Sequence, residues 1–100
     1  MTLPVIFRRQ ARREFYDAGD WYEKERAGLG LEFLDEIGRL LSHIAATPNQ
    51  FPIIHRDVRK AVAQRFPYCI YFRVRGQRIV VLAVFHSARN PAVWQGRHSG

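Results

Sequence analysis

Seven consecutive apolar residues, Ile79 to Phe85, form the most apolar run of the chain, "IVVLAVF". Successive strand residues point to opposite faces, so a run that is apolar at every position is apolar on both faces and belongs at the centre of a sheet. The segment before it, "YCIYFRV", alternates instead. Tyr68, Ile70, Phe72 and Val74 point one way and Cys69, Tyr71 and Arg73 the other. Arg75, Gly76 and Gln77 supply a hairpin turn between the two. "VRKAVAQRF" alternates weakly, as an edge strand does, and "LPVIF" near the N-terminus reads as a short strand with Pro4 near its start, where a missing N–H is tolerable.

Between the first strand and the others the period changes. Ala11, Phe15, Ala18 and Tyr22 recur at helical spacing from about Arg9, with charged residues between them. Gly28 and Gly30 interrupt the pattern, and Gly28 suits the left-handed position that ends a helix. A second stripe then runs through Leu34, Ile37, Leu41 and Ile44, widened by Leu31 and Leu40, until Thr47 and Pro48 stop it. The link is short, so the two helices form an antiparallel hairpin. "PNQFPIIHRD" reads as an irregular connection.

These elements make one α+β domain, residues 1–100. The expected architecture is a two-helix hairpin packed on one face of a four-stranded antiparallel sheet, ordered first, fourth, third, second, with the first strand covering the free edge of the last. The other face is expected to be open. If Arg59, Ala61, Ala63 and Arg65 of the edge strand and Cys69, Tyr71 and Arg73 of its neighbour point away from the helices, they form a basic floor bordered by the C-terminal tail.

Charge reinforces interest in that face. The net charge is +7, and eight of the nine acids lie between Glu14 and Glu36. Beyond Glu36 only Asp57 opposes ten arginines and lysines. Such asymmetry fits a polyanionic or acidic partner of the back half, and it also serves solubility. Cys69 is the single cysteine, which excludes an intrachain disulfide and fits a reducing cytoplasm. No stretch approaches the ~20 apolar residues of a membrane span.

The residues after the central strand, "HSARNPAVWQGR", hold the chemistry-bearing side chains. His86 can act as a general acid or base, or simply hydrogen-bond backbone at the strand end. Arg89 can clamp a phosphate or pair with a helix carboxylate. Trp94 can stack on a base, but an aromatic near a C-terminus more often fastens the tail by burying its ring. Arg59, Arg65 and Arg73 can contact phosphates or keep a sheet face soluble. His43, His55, His86 and His98 lack the spacing of a zinc site, and there is neither a glycine-rich phosphate loop nor a nucleophile elbow. No metal or other cofactor is expected.

Four segments, "WYEKERAGLGLEFLDEI", "TPNQFP", "VRKAVAQRFPYCIYFRV" and "VLAVFHSARNPAVWQGR", follow one another in the order seen in the RelE/ParE superfamily of type II toxin–antitoxin toxins, which the chain resembles. The resemblance implies a cytoplasmic toxin linked to growth inhibition and plasmid stabilisation and neutralised by a cognate antitoxin. RelE-like members cleave mRNA in the ribosomal A site, whereas ParE-like members poison DNA gyrase. The RelE-like pattern carries an arginine after the tyrosine that opens the third strand, where this chain has Cys69, and a C-terminal tyrosine, where the nearest aromatic is Trp94. Metal-independent RNA cleavage needs a base, an acid and charge stabilisation together. The incomplete set places the chain closer to ParE. Under that reading Arg59, Arg65, Arg73, Tyr71 and Trp94 are the expected partner-binding residues; in an endonuclease, His86, Arg89, Arg65 and Arg59 would be the catalytic candidates. A third possibility is a non-toxic homologue that only titrates an antitoxin.

Overall fold

The structure is a computed structural model and describes residues 2–97; His98 lies outside the described residues. Strand β1 (Val5–Phe7) leads into helices α1 (Arg9–Glu25) and α2 (Leu29–Ala46). A single 3-10 turn (Pro48–Gln50) precedes β2 (Ile53–His55), β3 (Val58–Val62), β4 (Tyr68–Arg75) and β5 (Arg78–His86), and the short helix α3 (Ala92–Gln95) follows. The sheet runs β1-β5-β4-β3-β2.

The class is α+β as expected, but two details of the sheet differ. A fifth strand, β2, emerges from the segment read as an irregular connection and pairs with β3 at the far edge. Arg56, in the left-handed region at φ 54°, makes the tight turn between them. The second difference is direction: β1 and β5 pair in parallel. α1 climbs along β5, from Arg8 beside Val81 to Glu14 beside Val84, and α2 returns the chain to its starting end, where the Leu3 N–H donates to the Ala45 carbonyl at 3.0 Å. β2 then runs against β1, and the turn at Arg56 reverses the chain so that β3 runs in the direction of β1. Two hairpins later β5 has that direction again, so parity makes the first and last strands parallel.

The helix hairpin closes as the glycines indicate. Gly28 adopts φ 89° between the helices. At Gly30 the helices touch: a Cβ would lie 2.6 Å from the Gly19 carbonyl oxygen. The Glu23 carboxylate accepts the N–H groups of Gly28 and Gly30 at 2.9 and 3.0 Å, satisfying donors that an uncapped helix start leaves open. The expected stripe of α2 holds at Ile37 and Ile44, with Leu34, Leu40 and Leu41 packed against the core, but its edge shifts from Leu31 to Phe33. Phe33, Ile37 and Ile44 are its buried apolar anchors, while Leu31 is 67% exposed.

Under the hairpin lies an aromatic core. Phe33 meets Phe15, Tyr22, Phe66 and Tyr68 at centroid separations of 6.2, 5.2, 5.3 and 5.0 Å. Ile70, Phe72, Ile79, Val81 and Val84 of the sheet complete it. The alternation of β4 holds as expected, with Tyr68, Ile70, Phe72 and Val74 on the helix side.

β3, expected at the edge but flanked by β2, faces the other way from the expectation. Arg59 lies opposite Phe72 and Ala61 opposite Ile70. Directly opposed residues share a face, so Arg59 and Ala61 point to the helix side, and Ala63 joins the same core.

The second face is not an open basic floor either. Val58, Cys69, Tyr71, Val80, Leu82, Ala83 and Phe85 form a separate buried cluster, capped by Trp94 from α3. A bulge in β5 shapes both layers. Tyr71 is paired with Ala83 but Phe72 with Val81, so Leu82 is an extra residue and both Leu82 and Ala83 belong to the second cluster. Alternation resumes one step out of phase. Val84 returns to the helix side, Phe85 to the Trp94 side, and His86 to the side of α1.

Candidate functional site

Beyond Phe7, β1 no longer covers the edge of β5, and side chains take over its hydrogen bonds. The Val84 N–H donates to Glu14 Oε1 at 3.1 Å, and the Leu82 carbonyl accepts from Arg97 Nη1 at 3.2 Å. Glu14 lies three residues after Ala11 and four before Ala18, on the buried face of α1, and its side chain is only 14% exposed. Arg89 Nη1 donates to its Oε2 at 3.1 Å, and Arg97 Nη1 and Nη2 donate to Oε1 and Oε2 at 3.3 and 3.0 Å. Both guanidinium groups also stand over the Phe85 ring, Arg89 at 3.9 Å and Arg97 at 5.3 Å from its centroid. One carboxylate thus binds the strand edge to the tail through charge-assisted hydrogen bonds.

Beside this cluster is an open depression of about 330 Å³ lined by Glu14, Asp17, Ala18, Trp21, Tyr68, Val84, His86 and Arg89. His86 is exposed, and its ring meets Tyr68 edge-on at 5.4 Å. Its Nδ1 accepts the Ala88 N–H at 3.0 Å, which puts the proton of the neutral ring on Nε2. Trp21, 56% exposed, lines the same depression. His86 and Arg89 are therefore brought together, as their spacing in the sequence implies. Arg89 takes the helix-carboxylate alternative.

The other residues of interest lie elsewhere and have intramolecular partners. Arg59 Nη1 donates to the Phe51 carbonyl at 2.6 Å, steadying the loop that follows α2. Arg65 Nη2 donates to Glu32 Oε1 at 2.8 Å, while the N–H groups of Gln64 and Arg65 donate to Glu36 Oε2 at 2.9 and 2.8 Å. These contacts hold both carboxyls below their ordinary range, Glu36 chiefly through the Arg65 backbone and Glu32 chiefly through the Arg65 side chain. On the second face, Arg73 Nη2 donates to Asp57 Oδ2 at 2.9 Å. Tyr71 and Trp94 stack at 4.4 Å, and the indole is 0% exposed. Trp94 is the tail anchor. Cys69 is buried, and burial pushes its thiol pKa up, so the arginines of the strand do not activate it.

Sequence reading missed Glu14, Asp17, Trp21 and Tyr68 as neighbours of His86. Only Glu14 carried a visible signal: it is a charge inside the apolar stripe of α1. What assembles here is a structural latch beside an open depression. For an incoming anion, Arg89 is already engaged by the Glu14 carboxylate, and it is the one arginine among the described residues that line the depression beside His86.

Comparison with known proteins agrees with this fold. No curated protein sequence matches the chain. Among solved structures, a chain of the chromosomal ParDE toxin–antitoxin system from P. aeruginosa superposes with a TM-score of 0.75 at 21% identity, covering 85% of this chain and 96% of that one. Residues 5–91 match the family described as the ParE toxin of the type II toxin–antitoxin system parDE. With that match running from β1 through the tail residue Pro91, the chain belongs to the ParE toxin family.

Proposed function

We propose that this chain arrests growth by binding a protein target, DNA gyrase, that it does so without hydrolysing RNA, and that a cognate antitoxin neutralises it in the cytoplasm. One observation carries the reading: each arginine in the candidate catalytic set has an intramolecular partner. Arg59 is held by a loop carbonyl, Arg65 by Glu32 and Arg89 by Glu14. Charge stabilisation of a phosphorane-like transition state needs cations aimed at the reacting group before it arrives. Here they are aimed at the protein itself. Cys69, in the place of the RelE-like arginine, is buried and supplies no substitute. Among the described residues no helix is long and apolar enough to cross a membrane.

The test is induction without antitoxin, with gyrase supercoiling and ribosome-dependent mRNA cleavage measured in parallel. Supercoiling should be inhibited, mRNA should stay intact, and a folded His86→Ala variant should keep most of its toxicity. Loss of a true general base would instead cost ~10²- to 10⁴-fold in rate. Ribosome-dependent cuts that vanish in that variant would overturn the reading. Co-purification with the product of a neighbouring gene tests the antitoxin; induced cells that grow normally would favour a non-toxic homologue.

A further inference from the structure

The charge along α1 runs against its own helix dipole. A helix start carries partial positive charge and favours Asp or Glu, and its end favours cations. α1 begins after Arg8 with Arg9, Arg12 and Arg13 and has no acid in its first turn. Its acids come later, at Asp17, Asp20, Glu23 and Glu25. Arg8 with Arg12, and Arg9 with Arg13, are like charges four residues apart, which destabilises a helix. Glu14, the one acid among them, is already engaged by Arg89, Arg97 and the Val84 N–H. No ion pair within 4 Å engages Arg9, Arg12 or Arg13 among the described residues.

We propose that Arg9, Arg12 and Arg13, with Tyr16 one turn on, form a docking face for the phosphate backbone of duplex DNA. All four side chains are exposed and, at spacings of three and four, share the outer side of α1, away from buried Ala11 and Ala18. Arg9 and Arg13 are about 6 Å apart along the helix axis, and each DNA strand presents a phosphate every ~3.4 Å. The guanidinium fork matches phosphate oxygens, and 14 of the 16 basic residues in the chain are arginine. An acidic protein segment fits less well, because it needs several apolar anchors for affinity, while only Gln10 and the buried Ala11 lie between these arginines and Tyr16 is the one exposed ring on their face. Single strands fit less well too, since they bind on several stacking rings and only Tyr16 is present here. This inference does not depend on the gyrase reading.

The test is binding of a labelled short DNA duplex of arbitrary sequence to the full chain, measured against salt concentration. An Arg9→Gln/Arg12→Gln/Arg13→Gln variant should bind at least ~10-fold more weakly at low salt, and its log–log salt slope should be smaller by about 0.9 for each phosphate no longer neutralised. Its thermal midpoint should stay level or rise, since like-charge repulsion is removed. Arg75→Gln/Arg78→Gln, at the β4–β5 turn, should leave binding nearly unchanged. Single Arg12→Gln and Arg13→Gln variants give the same reading in smaller steps if the triple variant misfolds. The proposal falls if the folded triple variant binds duplex DNA as tightly as the parent, or if polyglutamate or single-stranded RNA binds the parent more tightly than the duplex does.

Discussion

The two faces of the sheet are both buried, yet they are closed by different means. On the helix side, two helices of 17 and 18 residues lay a stripe of apolar and aromatic side chains over the strands. On the tail side, a four-residue helix contributes one indole, and the Glu14 cluster ties the tail down at the sheet edge. The first closure is spread over many side chains. The second depends on few. Closures of the second kind open locally before the whole domain unfolds. The depression around His86 lies where the two meet.

The largest effect should come from the helix side. Phe33→Ala removes the ring shared by Phe15, Tyr22, Phe66 and Tyr68 and should cost about 3–5 kcal/mol of unfolding free energy in denaturant titration. Trp94→Ala should cost less although the residue is larger, about 1–3 kcal/mol, because detachment of the tail limits the loss. Hydrogen exchange should then show residues 87–97 unprotected while α1 and α2 stay protected. If α1 and α2 lose protection together with the tail, the two closures are one cooperative unit and the contrast fails.

Glu14→Gln should have a smaller effect, about 1–2 kcal/mol, because the amide still accepts one hydrogen bond while the charge-assisted pairs to Arg89 and Arg97 weaken. Tail amides should exchange faster, with little change under the hairpin. pH separates the faces most gently. Glu32 and Glu36 titrate below their unfolded range, so the stabilisation they give is present above ~pH 4.3 and is lost as pH falls through their lowered values. Burial raises Cys69 and Tyr71 on the Trp94 side and Tyr22 and Tyr68 on the helix side; the stabilisation from Cys69 is present below ~pH 8.5 and that from the tyrosines below ~pH 10, each lost as pH rises through the raised value, so Cys69 is the first to act. Acid should loosen the 63–66 loop first, and alkali the Trp94 side. Exchange rates of the two sets of amides at each extreme would show whether the order holds.

Much of the helix side was legible in the sequence because its signals are local. Ala11 and Ala18 mark the buried face of α1, Gly28 the left-handed turn, Thr47 and Pro48 the end of α2, and "IVVLAVF" the strand buried on both faces. Each is a preference of the chain for its own conformation or its own period. The candidate site was legible only in part: His86 and Arg89 are neighbours in sequence, whereas Asp17, Trp21 and Tyr68 reach the same depression from other elements.

What the tertiary structure alone decided is which way things face. Arg59 and Ala61 turn toward the helices because register sets them opposite Phe72 and Ile70. The bulge at Leu82 turns His86 toward α1 and Phe85 toward Trp94. β2 becomes a strand because β3 offers it an edge, and the parallel pairing of β1 with β5 follows from the path of the whole chain between them. A single strand fixes its period but not its phase relative to its neighbours. That phase comes from pairing between distant segments, and one extra residue reverses it.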